Sequence, residues 1–486
     1  MARLPRPTIP LELRGAEFRE LVGKTMERLV PWLDSISTQP SNALDGGQKV
    51  ARSFDEPMPE NGHVFGQILG RLFDRAITTS LNAASPGYLA YIPGGGLPTT
   101  AIADLITDVT NRYTGLWMPA PGLVQLEISV IRWFCAMVGY GERAGGWLCS
   151  GGSMANLCAI VAGREAKLGE DFRDGILYTS DQAHHSLLKA ARIVGFPKRN
   201  VRVLPAGKGF RMDLEALAKA VKADRDAGLR PFFVALHAGS TPVGAVDDLS
   251  GIADFCAEQG MWTHVDAAYG GFFMLTERGQ AMLAGIKKAD SITLDPHKGL
   301  FLPYGTGCLL VKERETLRSA FAESAAYLPP SQEDDDRWDF ADFGPELSRP
   351  ARGLRVWLPL QLHGAGAFRE ALNEKLDLAR YAVEKVAAMK GVRVISAPEL
   401  SLFTCRIEPE GMVAEDADSF NRRVMSRVNQ KKRVMLTGVP IWDATIEKHV
   451  FVIRVCVLCF RTHQDRIDMM LEDLSGAIVE VQAGSS

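Results

Sequence analysis

Several things are scarce in this 486-residue chain, and each scarcity removes a class of function. Charge of one sign never runs long: beyond the acidic patch at 333–336 no block stands out, and the formal net charge is -3. Nothing there favours nucleic acid or an anionic membrane as a partner. No stretch approaches the roughly 18 uncharged apolar residues that span a bilayer, and the first residues, MARLPRPTIPLELRGAEF, contain no apolar export core. A soluble, cytoplasmic protein is the expectation. Cysteines are few and scattered. Of the eight, Cys456 and Cys459 alone lie close together, in the strand-like run FVIRVCVLCF, where they would point to opposite faces. They cannot share a metal there, and no metal is expected. There is no internal repeat and no low-complexity tract.

What is present is an ordinary globular composition, 46% hydrophobic and 23% charged, with enough length for two or three structural units. Residues 14–36 and 62–79 carry apolar residues at helical spacing, the first interrupted by Pro31. With no strand between them, these helices cannot bury both faces, so residues 1–83 read as an arm that packs on something else, most simply a second subunit. From 84 to 122 the chain is rich in Gly, Pro and aromatics, which suits irregular pocket walls; Tyr91, Pro93 and Trp117 are the candidates for contact with a ligand.

From Glu127 short apolar runs alternate with amphipathic helices: Gly146–Cys149, ILYTS, VRVLP, PFFVALHA, WTHVDAA and SITLD are the runs. That alternation predicts an α/β unit on a mostly parallel sheet, residues 84–375, with ligands gathered at the carboxyl ends of its strands. Residues 376–486 mix strands (VRVIS, LFTCRIE, VFVIRVCVLCF) with two helices and read as a smaller α+β domain.

The chemistry centres on Lys298, in DSITLDPHKGLFLPYGTGCLL. A lysine in a water-poor cleft either pairs with an anion or serves as an amine nucleophile toward a carbonyl; a strand-end lysine reaching for solvent is the ordinary alternative. Three features precede it at strand ends. In Cys149-Ser-Gly-Gly-Ser-Met-Ala-Asn156 a strand enters a helix through two glycines, which makes either an anion site or a plain tight turn. Asp266, in HVDAAYGG, is either a helix cap or a carboxylate held beside a heterocyclic nitrogen, with small alanines leaving room for a flat ring. In SDQAHHS one histidine either caps a helix or stacks on a planar group. A phosphate cradle, an amine, a carboxylate and a stacking ring are together the parts that hold pyridoxal 5'-phosphate.

These motifs, with FRELVGKTMERLVPWL, SPGYLAY, DPHKGLFLPYGTG, LSRPARGLRVW and FVIRVCVLCFRT, resemble the group II pyridoxal-phosphate-dependent amino acid decarboxylases over nearly the whole chain. This is the family of aromatic-L-amino-acid, histidine and glutamate decarboxylases, and the likeness is strongest to bacterial aromatic-type members. The resemblance implies a fold-type I (aspartate-aminotransferase-like) enzyme, a homodimer with its active site at the subunit interface. It implies Lys298 as the Schiff-base lysine, Asp266 on the pyridinium nitrogen, Ala268 against the ring and His184 stacked on the other face. Gly152, Ser153, Ser291 and His297 match the phosphate contacts, and Thr241 a threonine near the cofactor. The implied reaction passes through a Lys298 aldimine and a quinonoid to an amine and CO2.

Two positions depart from the family. The loop QEDDDRWDFADFGPELSRP lacks the tyrosine that reprotonates the substrate carbon, and Phe340 is the nearest match. In some relatives phenylalanine there accompanies aldehyde-forming oxidation; His184, Tyr327 or water could instead supply the proton, and normal decarboxylation is the preferred reading. Gly299 stands where many relatives have tryptophan, which implies different packing behind the cofactor. The aromatic, proline-rich wall segments contain no Lys or Arg placed for a side-chain carboxylate, favouring an aromatic or apolar amino acid over glutamate. A basic substrate met by the acidic patch is the alternative. Another fold-type I reaction such as transamination shares the same parts, and Arg454 does not discriminate it.

Overall fold

Seven strands form the central layer of a computed structural model that describes residues 11–323 and 336–484. They are β1 (Gly145–Cys149), β2 (Gly175–Ser180), β3 (Val201–Leu204), β4 (Arg230–His237), β5 (Trp262–Asp266), β6 (Ser291–Leu294) and β7 (Gly307–Val311). Their order is β1-β7-β6-β5-β4-β2-β3, parallel except for β7, which runs antiparallel to both β1 and β6. Every residue of β1, β2, β5, β6 and β7 is buried, as expected of a sheet covered on both faces. A second, antiparallel sheet holds β8 (Val392–Ser396), β9 (Leu402–Ile407), β10 (Thr437–Asp443) and β11 (Lys448–Cys456) in the order β10-β11-β9-β8.

One 36-residue helix, Arg352–Ala387, joins the two layers and turns at Gly364, whose φ of 72° and ψ of 152° leave the helical region. Phe368, Leu372 and Leu376 belong to the core of the large sheet, whereas Leu378, Ala379, Ala382 and Val386 belong to that of the small one. The core therefore changes owner between Leu376 and Leu378, in the part of the helix after Gly364.

Four local expectations differ from the structure. Pro31 does not interrupt the first helix, which runs Gly15–Asp34, because it falls in the last turn, where the carbonyl it deprives of a partner belongs to exposed Glu27. The second arm helix is split into Phe65–Arg71 and a wider turn, Leu72–Ile77. A helix, Thr99–Thr110, occupies part of the segment read as irregular wall, and β7 and β10 complete the sheets unannounced. The Pro121–Val138 helix is long and apolar enough to cross a membrane by composition, yet eight of its residues are buried in the main core.

At the sheet's edge a buried ion pair fixes the loop after 336 to β1. Arg349, fully buried, donates Nη2 to Glu127 Oε1 at 2.6 Å and to the Leu148 carbonyl at 2.7 Å, while Glu127 accepts the Leu148 amide at 3.1 Å. Removing one partner strands the other charge in the core. Arg349→Met is therefore expected to lower unfolding free energy by about 3–5 kcal/mol in denaturant titration, whereas Arg349→Met with Glu127→Leu recovers a large part of that loss.

Candidate active site

The parallel strands end on one cleft of about 310 Å³, lined by Gly152, Ser153, His184, Thr241, Asp266, Ala268, His297 and Lys298, among others. A larger cavity, about 620 Å³, lies elsewhere; of its three arginines, Arg211 and Arg278 are paired with Glu399 and Asp377. The smaller one holds the titratable groups with displaced equilibria.

Lys298 sits on the single turn Pro296–Gly299 that follows β6, 23% exposed, with Nζ 2.9 Å from Asp295 Oδ2. Burial works against its charge, but the Asp295 and Asp266 carboxylates outweigh burial and hold the ammonium above its usual range. Asp266 ends β5 and is nearly buried. Burial pushes its carboxyl up; Lys298, His237, the Asn156 amide and His264 together pull it below the ordinary range. Its Oδ2 accepts Asn156 Nδ2 at 2.8 Å and its Oδ1 the Ala268 amide at 3.2 Å.

His184 is both cap and cleft wall. Its Nδ1 accepts the Ser186 amide at the start of the His185–Ile193 helix, and its ring lines the cavity, with burial pushing the imidazole down. Opposite, the Gly152–Lys167 helix begins without a side-chain cap, so its first amides face the cleft. A Cβ on Gly152 would come within 3.0 Å of Asp295 Oδ2 and 3.3 Å of the Ala268 methyl. His297 closes this end, its Nδ1–H donating to the Thr306 carbonyl at 2.6 Å. An uncapped helix N-terminus, an amine and an ionised carboxylate facing one cavity, with the buried Asp295 Oδ1 lacking a hydrogen-bond partner among the described residues, fit the phosphate, aldehyde and ring nitrogen of pyridoxal phosphate.

A model of the pyridoxal-dependent decarboxylase conserved domain matches residues 48–408. The chain belongs to that family. It is 31% identical to an aromatic-L-amino-acid decarboxylase of Bacillus atrophaeus over 97% of both chains, and 28% identical to a phenylacetaldehyde synthase of Petunia hybrida over 79% of both. Among solved structures, the Oryza sativa TDC with PLP and tryptamine superposes with a TM-score of 0.91 at 24% identity, covering 98% of this chain and 99% of that one. The fold is that of these pyridoxal-phosphate enzymes, and the chain is a pyridoxal-phosphate-dependent carboxy-lyase.

Against this decarboxylase frame, several expected site residues lie elsewhere. Ser291 begins β6, at the end of the strand away from Lys298, fully buried between Trp262 and His264; it is no phosphate contact in this chain. Phe340 is a core residue, packed on Trp338, Phe343 and the Arg349 guanidinium, not a cleft wall. Tyr327 and residues 333–335 of the acidic patch lie outside the described residues. Trp117 faces Arg337 and binds Asp339 through its amide, while Tyr91 and Pro93 flank Ile92, which does line the cavity. Thr241 stands at the exposed rim, and Ser240 beside it is the buried hydroxyl.

Asn156, His237, Ser240 and Asp295 went unread. The Asn at the end of SGGSMAN and the His ending PFFVALHA were visible signals, because both close a strand-end segment next to the glycine turn or Asp266. Gly299 has a clear reason: a Cβ there would meet the Phe272 Cβ at 2.7 Å.

Because Lys298 is held as an ammonium, unloaded protein is expected to capture pyridoxal slowly near neutrality and faster as pH rises, followed by borohydride trapping on Lys298. Asp295→Asn removes the nearest anion, so capture at pH 7.5 should be faster and its pH dependence shallower; an unchanged profile contradicts the pairing.

Proposed function

We propose that this decarboxylase removes CO2 from an aromatic L-amino acid, or an apolar one of similar size, and releases the amine. The observation that carries the proposal is the cleft itself. Among the described residues lining it, Lys298 is the one lysine or arginine, so no second cation waits there for a side-chain carboxylate. The named activities of the similar proteins, among them tryptophan and tyrosine decarboxylases, support the same substrate class.

In this reading each group has one task. Lys298 would supply the amine that holds the cofactor's aldehyde carbon. Asp266, kept ionised by its neighbours, holds a proton on the ring nitrogen. With the cofactor bound, His184 and Ala268 would hold its ring, Gly152, Ser153 and His297 would hold its phosphate, and Thr241 would stand nearby, all of them residues that line the cleft. Pyridoxal phosphate, when bound, supplies the electron sink for the bond to the carboxylate. The low-dielectric walls, Ile92, Met154 and Tyr269, strengthen the pull of Asp266 on that proton.

A homodimer whose partner completes the cleft belongs to this proposal. The Gly15–Asp34 helix buries no residue, and Leu105, Ile106 and Val109 expose 42%, 45% and 57% of their surface along one helix face. Ile106→Glu with Val109→Glu should shift the mass in light scattering from dimer to monomer and cut activity at least tenfold. We place the enzyme in the cytoplasm, in keeping with eight cysteines that are all free and buried.

Aldehyde formation is the second reading, favoured by the lack of any tyrosine in the segment QEDDDRWDFADFGPELSRP and by the similarity to a phenylacetaldehyde synthase. Turnover of tryptophan, tyrosine, phenylalanine, histidine, glutamate and 2,4-diaminobutyrate separates the cases. Amine and CO2 from an aromatic substrate, without matching peroxide, is the expected result. Stoichiometric peroxide and aldehyde, keto acid without CO2, or glutamate as best substrate would each reject it.

A further inference from the structure

Asp266 does more than face the cleft: its charge dictates the direction of a chain of hydrogen bonds behind it. An ionised carboxylate can accept but not donate, so the Asn156 group 2.8 Å from Oδ2 must be the NH2. The Asn156 oxygen then points the other way, where it accepts Thr293 Oγ1–H at 2.7 Å and meets His264 Nε2 at 3.0 Å. His264 must therefore carry its proton on Nε2. It is fully buried and neutral, with burial pushing its imidazole down to about 4, so Nδ1 is bare. That nitrogen lies 2.8 Å from Ser291 Oγ, which donates to it and accepts the Trp262 indole N–H at 2.8 Å.

An indole can only donate and a carboxylate can only accept. With one obligate donor and one obligate acceptor at its ends, the chain Trp262, Ser291, His264, Asn156, Asp266 has a single consistent arrangement. This assigns a place to Ser291, and explains why a serine sits on a buried strand away from the cleft.

The second N–H of Asn156 leads back to the cleft. It donates to Ser186 Oγ at 3.0 Å, and Ser186 Oγ lies 2.7 Å from His184 Nδ1. Having accepted from Asn156, the hydroxyl donates to Nδ1, which also accepts the Ser186 amide at 3.3 Å. Nδ1 is thus taken by two donors and the proton must reside on Nε2, at the far side of the ring. Among the described residues Nε2 has no hydrogen-bond partner.

We infer that Ser186 and Asn156 are positioning residues that commit His184 to its Nε2–H tautomer, so that this ring meets a substrate as a donor and never as an acceptor. The inference deepens the decarboxylase reading by specifying what His184 offers: one N–H for negative charge on a bound amino acid, with the free base held away from it. Ser291 and His264 act through Asn156, and the charge on Asp266 sets the whole arrangement.

Two-bond hydrogen–nitrogen correlation spectra of protein selectively labelled with 15N-histidine read the tautomer directly, without cofactor or turnover. In the unloaded wild type, His184 should show a pyridine-like Nδ1 and a pyrrole-like Nε2. Ser186→Ala should mix the two tautomers and Ser186→Thr should restore the wild-type pattern. In the loaded enzyme Ser186→Ala should lower kcat roughly tenfold, the worth of one hydrogen bond of ordinary strength, with KM little changed. A wild-type His184 protonated on Nδ1, or a tautomer indifferent to Ser186→Ala, overturns the inference. Loss of CO2 release with the tautomer intact would instead count against the proposed function, so the two can fail separately.

Discussion

A carboxylate that stays ionised in the interior is the constraint around which the large layer is arranged. Taking such a group out of water costs several kcal/mol unless charge and hydrogen bonds compensate. Asp266 receives that compensation from four elements at once: Lys298 after β6, His237 at the end of β4, His264 within its own strand and Asn156 on the helix behind the glycine turn. β5 is the strand that can reach them, because it lies between β4 and β6 at the middle of the sheet. Lys298 and Asp266 each hold the other in its charged form, with Asp295 as the second anion for the lysine.

The topology supplies the rest. Parallel strands deliver their carboxyl ends to one edge, where the uncapped Gly152–Lys167 helix begins. β7 breaks the parallel run, and its first residue shows why the glycine is needed. A Cβ on Gly307 would lie 2.4 to 2.8 Å from the Gly151 backbone, so close approach of these two segments sets the depth of this end of the cleft.

Most of this was legible in the chain because burial on both faces gives short apolar runs, and helices between them give a 3.6-residue pattern. The failures have equally physical causes. The Thr99–Thr110 helix turns its apolar residues outward and buries Thr100 and Ala103, so its pattern reads as an element with no core side. β7 is only five residues long and opens on Gly307, which disguises a strand. Ser291 was misplaced because seven residues of sequence separate it from Lys298, and a strand rising about 3.3 Å per residue carries it to the opposite end of β6. Asn156 was missed because its place at the end of SGGSMAN does not reveal which groups it meets; its importance comes from four partners, Ser186, Asp266, His264 and Thr293, on three other elements. The core position of Phe340 was illegible because the run WDFADF mixes two aspartates and an alanine with three aromatic rings, all of which turn inward, and so shows no regular period.

Gly299 and Phe272 show how packing can decide the position of a reactive amine. The Phe272 ring is fully buried, stacks edge-on with Phe134 at 5.0 Å, and its Cβ would lie 2.7 Å from any Cβ at 299. A larger residue after Lys298 would have to displace that ring or lift the one-turn helix that carries the amine. Overpacking of this kind costs about 1–3 kcal/mol, and a turn of four residues has little else to resist it. The glycine and the phenylalanine are therefore one feature: the space that an indole after the lysine would need is already filled from the neighbouring turn, and the height of Lys298 above the cleft floor follows from that contact. The departure at 299 thus leaves Lys298 beside Asp295 and within the field of Asp266, the two charges on which its own depends.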